Sequence, residues 1–417
     1  MKKKMSAKKS LLVRTIVMLV IAGLVVVLAF SLRPSNEETK STFEIDYDMT
    51  VWYYDDALTP YLTDAADPFF KESGLRVDFE LVSSLEFLDK INQANVNDED
   101  APDAYIIDSS KLESAYLSSL AKPNDNENYI YANFLNKALE NATYKGKLVA
   151  YPLAYNTSFM VYNTDLIENE PASFKEIAKE IKDGTLESDA FQFDVNNLLY
   201  NFFFVGNYVN LGGETGDDAN QFDLSSDEYT EALNYMQSLS KRINVDANIV
   251  DYTNIERNFM SGTTKIGIFS PSSLLKFSAQ EGLNYMICPI PKLNDDLETK
   301  TMSQTSLVCV NPDSENVSGA EELAVFLTDD YAENIYETSG LMSCKTSEKN
   351  DIYINIIQEI YEDSASLPKL IETESLWENL NTMLTSVWEG TDVEKAQSKL
   401  NVSLYIALST RTEQEDN

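Results

Sequence analysis

Residues Tyr144 to Ile167, YKGKLVAYPLAYNTSFMVYNTDLI, decide how the rest of the chain is read. Lys145-Gly146 is a turn signal, and Leu148-Val149-Ala150-Tyr151 reads as a short apolar strand. Pro152 fixes φ and removes a backbone donor, so the strand must bend, end or lie at a sheet edge there. Phe159-Met160-Val161-Tyr162 then resumes as a second apolar run. Asn156-Thr157-Ser158 sits between two segments that both require burial. An ordinary loop between core strands fits this pattern. So does a chain crossing from one lobe to another, with its polar side chains facing a cleft.

Upstream of that stretch, Met49 to Tyr54 (MTVWYY) reads as a strand with Asp55-Asp56-Ala57 at its C-terminal end. A helix starts at Pro60 and stops at Gly74, which suits a left-handed cap. Val77 to Val82 alternates as a second strand, Leu85 to Ala94 is helical, and Ala104 to Ile107 is a third strand. That order belongs to a parallel sheet with helical crossovers. Asp55 and Asp108-Ser109-Ser110 fall just past strand ends, where open α/β sheets hold their ligands. A short helix over Lys111 to Leu120 follows.

Downstream, Ser173-Phe174-Lys175-Glu176 is a capping box that starts a helix. The polar cluster Asp194 to Asn197 leads through Tyr200 into the apolar run NFFFVGNYVNLGG, read as a buried helix. Helices are expected over Ser226 to Leu239 and Asn254 to Ser261. Strands are expected over Thr263 to Phe269, Tyr285 to Pro291 and Ser306 to Val310, with Ser270-Pro271-Ser272-Ser273 at the end of the first. Glu321 to Thr328 and most of the chain from Ile352 read as helix, before the polar ending TRTEQEDN.

Composition narrows the function. The 417 residues carry a formal charge of −36, and residues 1–31 hold Lys2, Lys3, Lys4, Lys8, Lys9 and Arg14 with no acid, so the remainder stands at −42. Such a body repels nucleic acid and anionic membrane surfaces, and suits a neutral or cationic ligand. The absence of histidine excludes Ser-His-Asp and Cys-His catalysis and any His-ligated metal. Cys288, Cys309 and Cys344 are too few for a disulfide framework or a CxxC site; buried free thiols are expected, with a single bridge the alternative. There is no G-x-G-x-x-G and no Walker A loop. The acidic loops NDEDAPD and NDDLET lack the glycine and terminal Glu of a calcium loop, so neither a metal nor a cofactor is expected. Carboxylates are plentiful, yet no spacing selects an acid–base pair for glycoside hydrolysis.

The N-terminus has the layout of an export signal: lysines, then apolar residues from Leu11 to Leu32 broken only by Arg14, Thr15 and Ser31. An uncleaved membrane anchor and a cleaved signal both fit, with Ala29-x-Ser31 as the small-x-small site. No cysteine follows the apolar run, which excludes lipid anchoring through an N-terminal cysteine. In either case the lysines stay cytoplasmic and the body lies outside the cell membrane.

Six segments in order resemble the family-1 extracellular solute-binding proteins of ABC importers, the maltose-binding group. They are PDAYIIDSSKLESAYLSSLAKP, the opening YKGKLVAYPLAYNTSFMVYNTDLI, FMSGTTKIGIFSPSS, YMICPIPKL, FLTDDYAENIYETSGLMSCK and LWENLNTMLTSVWEGTDVEKA. The resemblance is collinear from about residue 49 to 405. It implies an α/β, two-lobe periplasmic-binding-protein fold of type II, each lobe a mixed sheet flanked by helices, with three interlobe crossings and a hydrophobic helix in front. The expected boundaries are 1–32 for the signal or anchor and 33–46 for a linker. Residues 47–154 plus 304–346 form the first lobe, 158–301 plus 350–408 the second, and 409–417 a polar tail. Pro152 then ends a strand at a lobe boundary, and Ala154 to Ser158 is the first crossing.

The resemblance also implies ligand contacts. Asp55 and Asp56 fall on the first-strand contacts, and Asp108, Ser109, Ser110 and Lys111 on the second contact loop. Asn156 takes a hinge position that is commonly acidic, Asn196, Asn197 and Tyr200 match a cluster of the larger lobe, and Trp377 matches a sugar-stacking aromatic. Ser272 stands where maltodextrin binders place a stacking Trp, and Ile107 also replaces an aromatic. Fewer platforms cover less apolar sugar face, which counts against a long maltodextrin. The implied function is capture of a small solute, a mono- or oligosaccharide, for delivery to ABC permease subunits, without catalysis. The alternatives are a membrane-anchored sensory protein with the same fold and an extracytoplasmic glycosidase.

Overall fold

The computed structural model describes residues 46–97, 100–248, 251–347, 351–365 and 367–415. The expected signal or anchor and most of the linker lie outside them. Among the described residues no helix is long and apolar enough to cross a membrane.

Two mixed sheets, of six and four strands, organise the body Tyr47–Asn417. In chain order the strands are β1 (Met49–Tyr53), β2 (Val77–Leu81), β3 (Ala104–Asp108), β4 (Tyr151–Thr157), β5 (Phe159–Asn163), β6 (Phe191–Gln192), β7 (Ile266–Phe269), β8 (Tyr285–Cys288), β9 (Ser303–Val310) and β10 (Met342–Ser343). The helices that matter to the site are α1 (Thr59–Ser73), α2 (Phe87–Asn97), α3 (Leu112–Leu117), α4 (Phe174–Asp183), α5 (Pro271–Ala279), α6 (Ile352–Asp363), α7 (Leu376–Trp388) and α8 (Val393–Glu415).

The first sheet runs β10-β4-β9-β3-β1-β2. Its β1, β2 and β3 are parallel, while β9 and β10 pair antiparallel to their neighbours. Alternation sorts its side chains onto two faces. Met49, Val51, Tyr53, Ala104 and Ile106 pack with Tyr61, Leu62, Ala65 and Phe69 of α1. Tyr105 and Ile107 pack on the other face with Phe87 and Ile91 of α2. As the sequence predicts, Gly74 closes α1 at φ 77°, a left-handed conformation that costs glycine little.

The second sheet runs β8-β5-β7-β6. Met160, Tyr162, Ile266, Ile268 and Cys288 face a core shared with α4 and α7, and Phe159, Val161, Phe269 and Ile287 face α6. Ser173 caps α4 by accepting the Glu176 N–H, as the capping box requires. The NFFFV run is buried but forms one short turn of helix, Leu198–Asn201, followed by a 3₁₀ turn over Phe202–Phe204, rather than a full helix.

The opening stretch departs from its reading: Val149 and Ala150 lie between two strands, and Asn156-Thr157 belong to β4. Lys145-Gly146 is indeed a tight turn, with φ 45° and 76°, between the short paired strands Thr143–Tyr144 and Lys147–Leu148. Yet β4 continues through Pro152 instead of ending there. The register of β4 against β9 shifts between Ser306, opposite Ala154, and Leu307, opposite Pro152, leaving Leu153 as the extra residue of a bulge. On the other side β10 pairs only with Ala154 and Tyr155, so the missing N–H of Pro152 falls beyond its end. The strand bends, and the passage from first sheet to second narrows to Ser158, between β4 and β5. The chain returns to the first sheet at β9 and leaves it again after β10. Cys288, Cys309 and Cys344 are all buried free thiols, with burial raising the proton affinity of each.

Candidate ligand-binding cleft

A cleft of about 520 Å³ lies between the first sheet and segments packed on the second-sheet core. The first-sheet wall is built by strand ends. β1 and β3 are parallel, so their C-termini deliver Tyr54-Asp55 and Asp108-Ser110 to the same edge. Each carboxylate is fixed by its own loop: Asp55 accepts the Ala57 N–H at 3.1 Å, and Asp108 accepts the Ser110 N–H at 2.9 Å. The Tyr54 hydroxyl accepts the Asp108 N–H at 2.7 Å and so ties the two strand ends together. Each loop thus holds one carboxylate oxygen at the cleft.

Burial raises the pKa of both Asp55 and Asp108 above the ordinary carboxylate range. For Asp55 the charge of Asp56 adds to it. For Asp108 the Asp55 charge adds to it, while the Ser110 hydrogen bonds and the Lys111 ammonium oppose it.

The floor comes from β4 and β9. Asn156 and Gln304 are direct cross-strand partners, and both line the cleft with Ser306. Their neighbours Ser303 and Thr305 point the other way and are buried, as the period of two demands. The polar trio of the opening stretch therefore divides. Only Asn156 faces the cleft. Thr157 and Ser158 are buried, and Ser158 Oγ donates to the Leu199 carbonyl at 2.7 Å, tying the passage between sheets to the turn that carries Asn197.

The opposite wall holds Asn197, Leu198, Leu199, Leu367 and Trp377. Asn197 spends its side-chain oxygen on the Leu199 N–H at 3.0 Å, which orients its amide. Trp377, in the first turn of α7, is half-buried against the second-sheet core, and its indole Nε1 has no hydrogen-bond partner.

Of the predicted contacts, Asp55, Asp108, Ser110, Asn156, Asn197 and Trp377 meet around this cleft. The others lie outside its lining. Asp56 is exposed in the turn after β1. Ser109 is wholly buried. Tyr200 stacks on Tyr252 with ring centroids 4.6 Å apart, its hydroxyl donating to Ser270 Oγ at 3.1 Å. Ser272 leads α5 and packs on Gly340, where an added Cβ would come within 2.7 Å of the serine Cβ. Lys111 pairs instead with Glu374 at 3.6 Å, and Asn196 donates to the Ala247 carbonyl at 2.6 Å. Sequence reasoning missed Tyr54, Gln304 and Ser306. The alternation of Ser303-Gln304-Thr305-Ser306 in front of an apolar strand was the available signal for the last two.

The family model described as "Bacterial extracellular solute-binding protein" matches residues 64–358. A maltooligosaccharide ABC transporter solute-binding lipoprotein of Streptococcus pneumoniae (strain ATCC BAA-255 / R6) is 22% identical over 378 residues, which is 84% of this chain and 86% of that protein. A cyclo/maltodextrin-binding protein solved with maltotetraose superposes with a TM-score of 0.70 at 22% identity, over 87% of this chain and 96% of that one. The extracellular solute-binding protein of Staphylococcus aureus solved with maltose gives a TM-score of 0.73 at 16% identity, over 87% and 98%. The fold shared with these structures is the α/β periplasmic-binding-protein fold.

Proposed function

The chain belongs to the bacterial extracellular solute-binding protein family, a family of binders rather than enzymes, and on that premise we propose that it captures a short malto-oligosaccharide outside the cell membrane and delivers it to an ABC permease. The observation that carries the ligand class is the cleft itself. It sets two carboxylates and three amides around an open space, with an indole on the opposite wall. Carboxylate and amide oxygens accept sugar hydroxyls, amide N–H groups donate to them, and an aromatic face covers the apolar C–H side of a pyranose. The names of the similar proteins, maltooligosaccharide and maltodextrin binders, point the same way. Ser272, in place of a stacking tryptophan and seated on Gly340 outside the lining, leaves fewer aromatic platforms, which favours a short ligand.

In this reading the two sheets are the cores of two lobes, and the passages at Ser158, before β9 and after β10 are the three crossings about which they rotate. A ligand touching both walls shifts an open–closed equilibrium toward closure, and the permease takes the closed form. The lysine-rich apolar N-terminus holds the body at the outer face of the membrane or directs its export. The test is a thermal-shift and intrinsic-fluorescence panel across maltose, maltotriose, maltotetraose and unrelated sugars. The malto series is expected to raise the melting temperature and change Trp377 emission. No shift with any sugar overturns the carbohydrate reading.

A further inference from the structure

A second polar cluster, outside the cleft lining, joins the far end of the chain to the loop that carries Asp108. Glu113 lies on α3, immediately after that loop, and is wholly buried. Its Oε1 accepts from the Tyr144 hydroxyl and from Arg411 Nη2, the latter at 2.9 Å. Its Oε2 accepts from Arg411 Nη1 at 3.1 Å and from the Ile371 N–H at 2.8 Å. The same guanidinium meets Glu372 Oε2 at 3.1 Å. Four donors thus converge on one buried carboxylate, and a planar fork matches it edge to edge.

The elements that supply these groups belong to opposite walls. Glu113 and Tyr144 come from the stretch that builds the Asp108 side. Ile371 and Glu372 lead into α7, whose first turn sets Trp377 on the opposite side, and Arg411 comes from α8, which packs with α7 in the second-sheet core. Three further contacts lie along the same segment. Lys111 Nζ reaches Glu374 at 3.6 Å, and the buried Lys369 ammonium donates to the Glu140 and Thr143 carbonyls at 2.6 and 2.7 Å. The residues before Trp377 are thereby fastened to the Asp108 side of the cleft.

We propose that Arg411 is a positioning residue for ligand capture: through Glu113 it latches the two walls together, so that the chain's last helix sets how often the cleft stands closed. The proposal rests on the two-lobe reading above. Separating the walls breaks the two guanidinium bonds and the Ile371 N–H bond to Glu113 together, and a charge-assisted bidentate pair is among the stronger contacts that opening can break. The closed form is favoured accordingly, even without ligand. Because apparent affinity scales with the fraction of binding-competent molecules, the latch tightens binding without touching the solute. It does so chiefly by slowing release.

The test compares wild type with Arg411→Gln and Arg411→Lys by two readouts. Small-angle X-ray scattering of ligand-free protein reads wall separation, and stopped-flow fluorescence reads release of maltotriose. Arg411→Gln is expected to enlarge the radius of gyration and to speed release about tenfold, with the association rate little changed. Arg411→Lys, which keeps the charge but loses the fork, is expected to fall between. If Arg411→Gln does not fold, Glu372→Gln removes only the outer carboxylate and is expected to shift both readouts less, in the same direction. A folded variant with wild-type scattering and wild-type release overturns the latch. If wild type binds no maltotriose, the ligand reading fails, and the scattering comparison alone still decides the latch.

Discussion

Asp108 and Asp55 sit at the ends of neighbouring parallel strands, each with one oxygen held by its loop and both with proton affinity raised by burial. Asp108→Asn keeps an oxygen for the Ser110 N–H and removes only the charge. A hydrogen bond to a charged group contributes about 1.5–3 kcal/mol. The variant is therefore expected to weaken sugar binding roughly ten- to a hundredfold with an unchanged fold, as read by calorimetry and circular dichroism. The raised pKa values also give binding a pH dependence. Ligand hydroxyls bind the ionised carboxylate, so affinity falls as pH drops through the raised values toward the ordinary 3.8. For folding the sign is opposite. Over that window the native state holds more protons than the unfolded chain, so the contribution of these two groups to stability rises as pH falls. The Asp55→Asn, Asp108→Asn double variant should flatten the affinity profile; a profile as steep as wild type would exclude these two groups as its source. Both aspartates were legible because strand ends mark the ligand edge of a parallel sheet. Gln304 and Ser306 were not, because what puts them in the cleft is the pairing of β9 with β4 across a long sequence separation.

Local signals with one physical cause were read correctly at the level of elements. Ser173 has a single task, capping α4, and Ser173→Ala is expected to cost about 1 kcal/mol in chemical denaturation. An unchanged midpoint would mean that another group satisfies the Glu176 N–H. Pro152 was harder to read, since a proline is tolerated within a strand only where a bulge and a short neighbour spare its absent N–H, and both are supplied from elsewhere in the chain. The apolar run after Asn197 was read as a helix because periodicity cannot separate a buried helix from irregular buried turns. The segment before α7, within a part of the chain read as mostly helical, is irregular around Pro368 and buries Lys369. Desolvation brings that ammonium down to about 8, against the opposing pull of Asp217 and Glu140. Between about pH 8 and the ordinary 10.5 the unfolded chain therefore holds the extra proton, and stability gains with rising pH. Relative to Lys369→Met, wild type should gain up to about 1.4 kcal/mol per pH unit across that window. A pH-independent difference between the two would contradict the burial of a charged lysine there.

Across the molecule, the proposed two-lobe reading makes the three passages between the mixed sheets the points about which rotation would change the width of the cleft. The body's strong negative charge keeps anionic solutes and nucleic acid away, while neutral polyols meet no such barrier. The order of strands and helices was legible from local signals, and the resemblance of six collinear segments to a known family implied the architecture built from them. The contacts between the two halves were less so. Tyr200 was expected at the solute and instead stacks on Tyr252, and Arg411 was expected in a polar tail and instead lies on a helix that reaches the Asp108 wall. Closure of this cleft on a malto-oligosaccharide held by Asp108 is decided by isothermal titration calorimetry of the wild type and Asp108→Asn with maltose, maltotriose and maltotetraose. Saturable binding of one sugar per chain is expected for wild type, strongest for a short member of the series and weakened at least tenfold in the variant. Absence of binding heat for all three sugars at millimolar concentration, or equal affinity of wild type and variant, would contradict it.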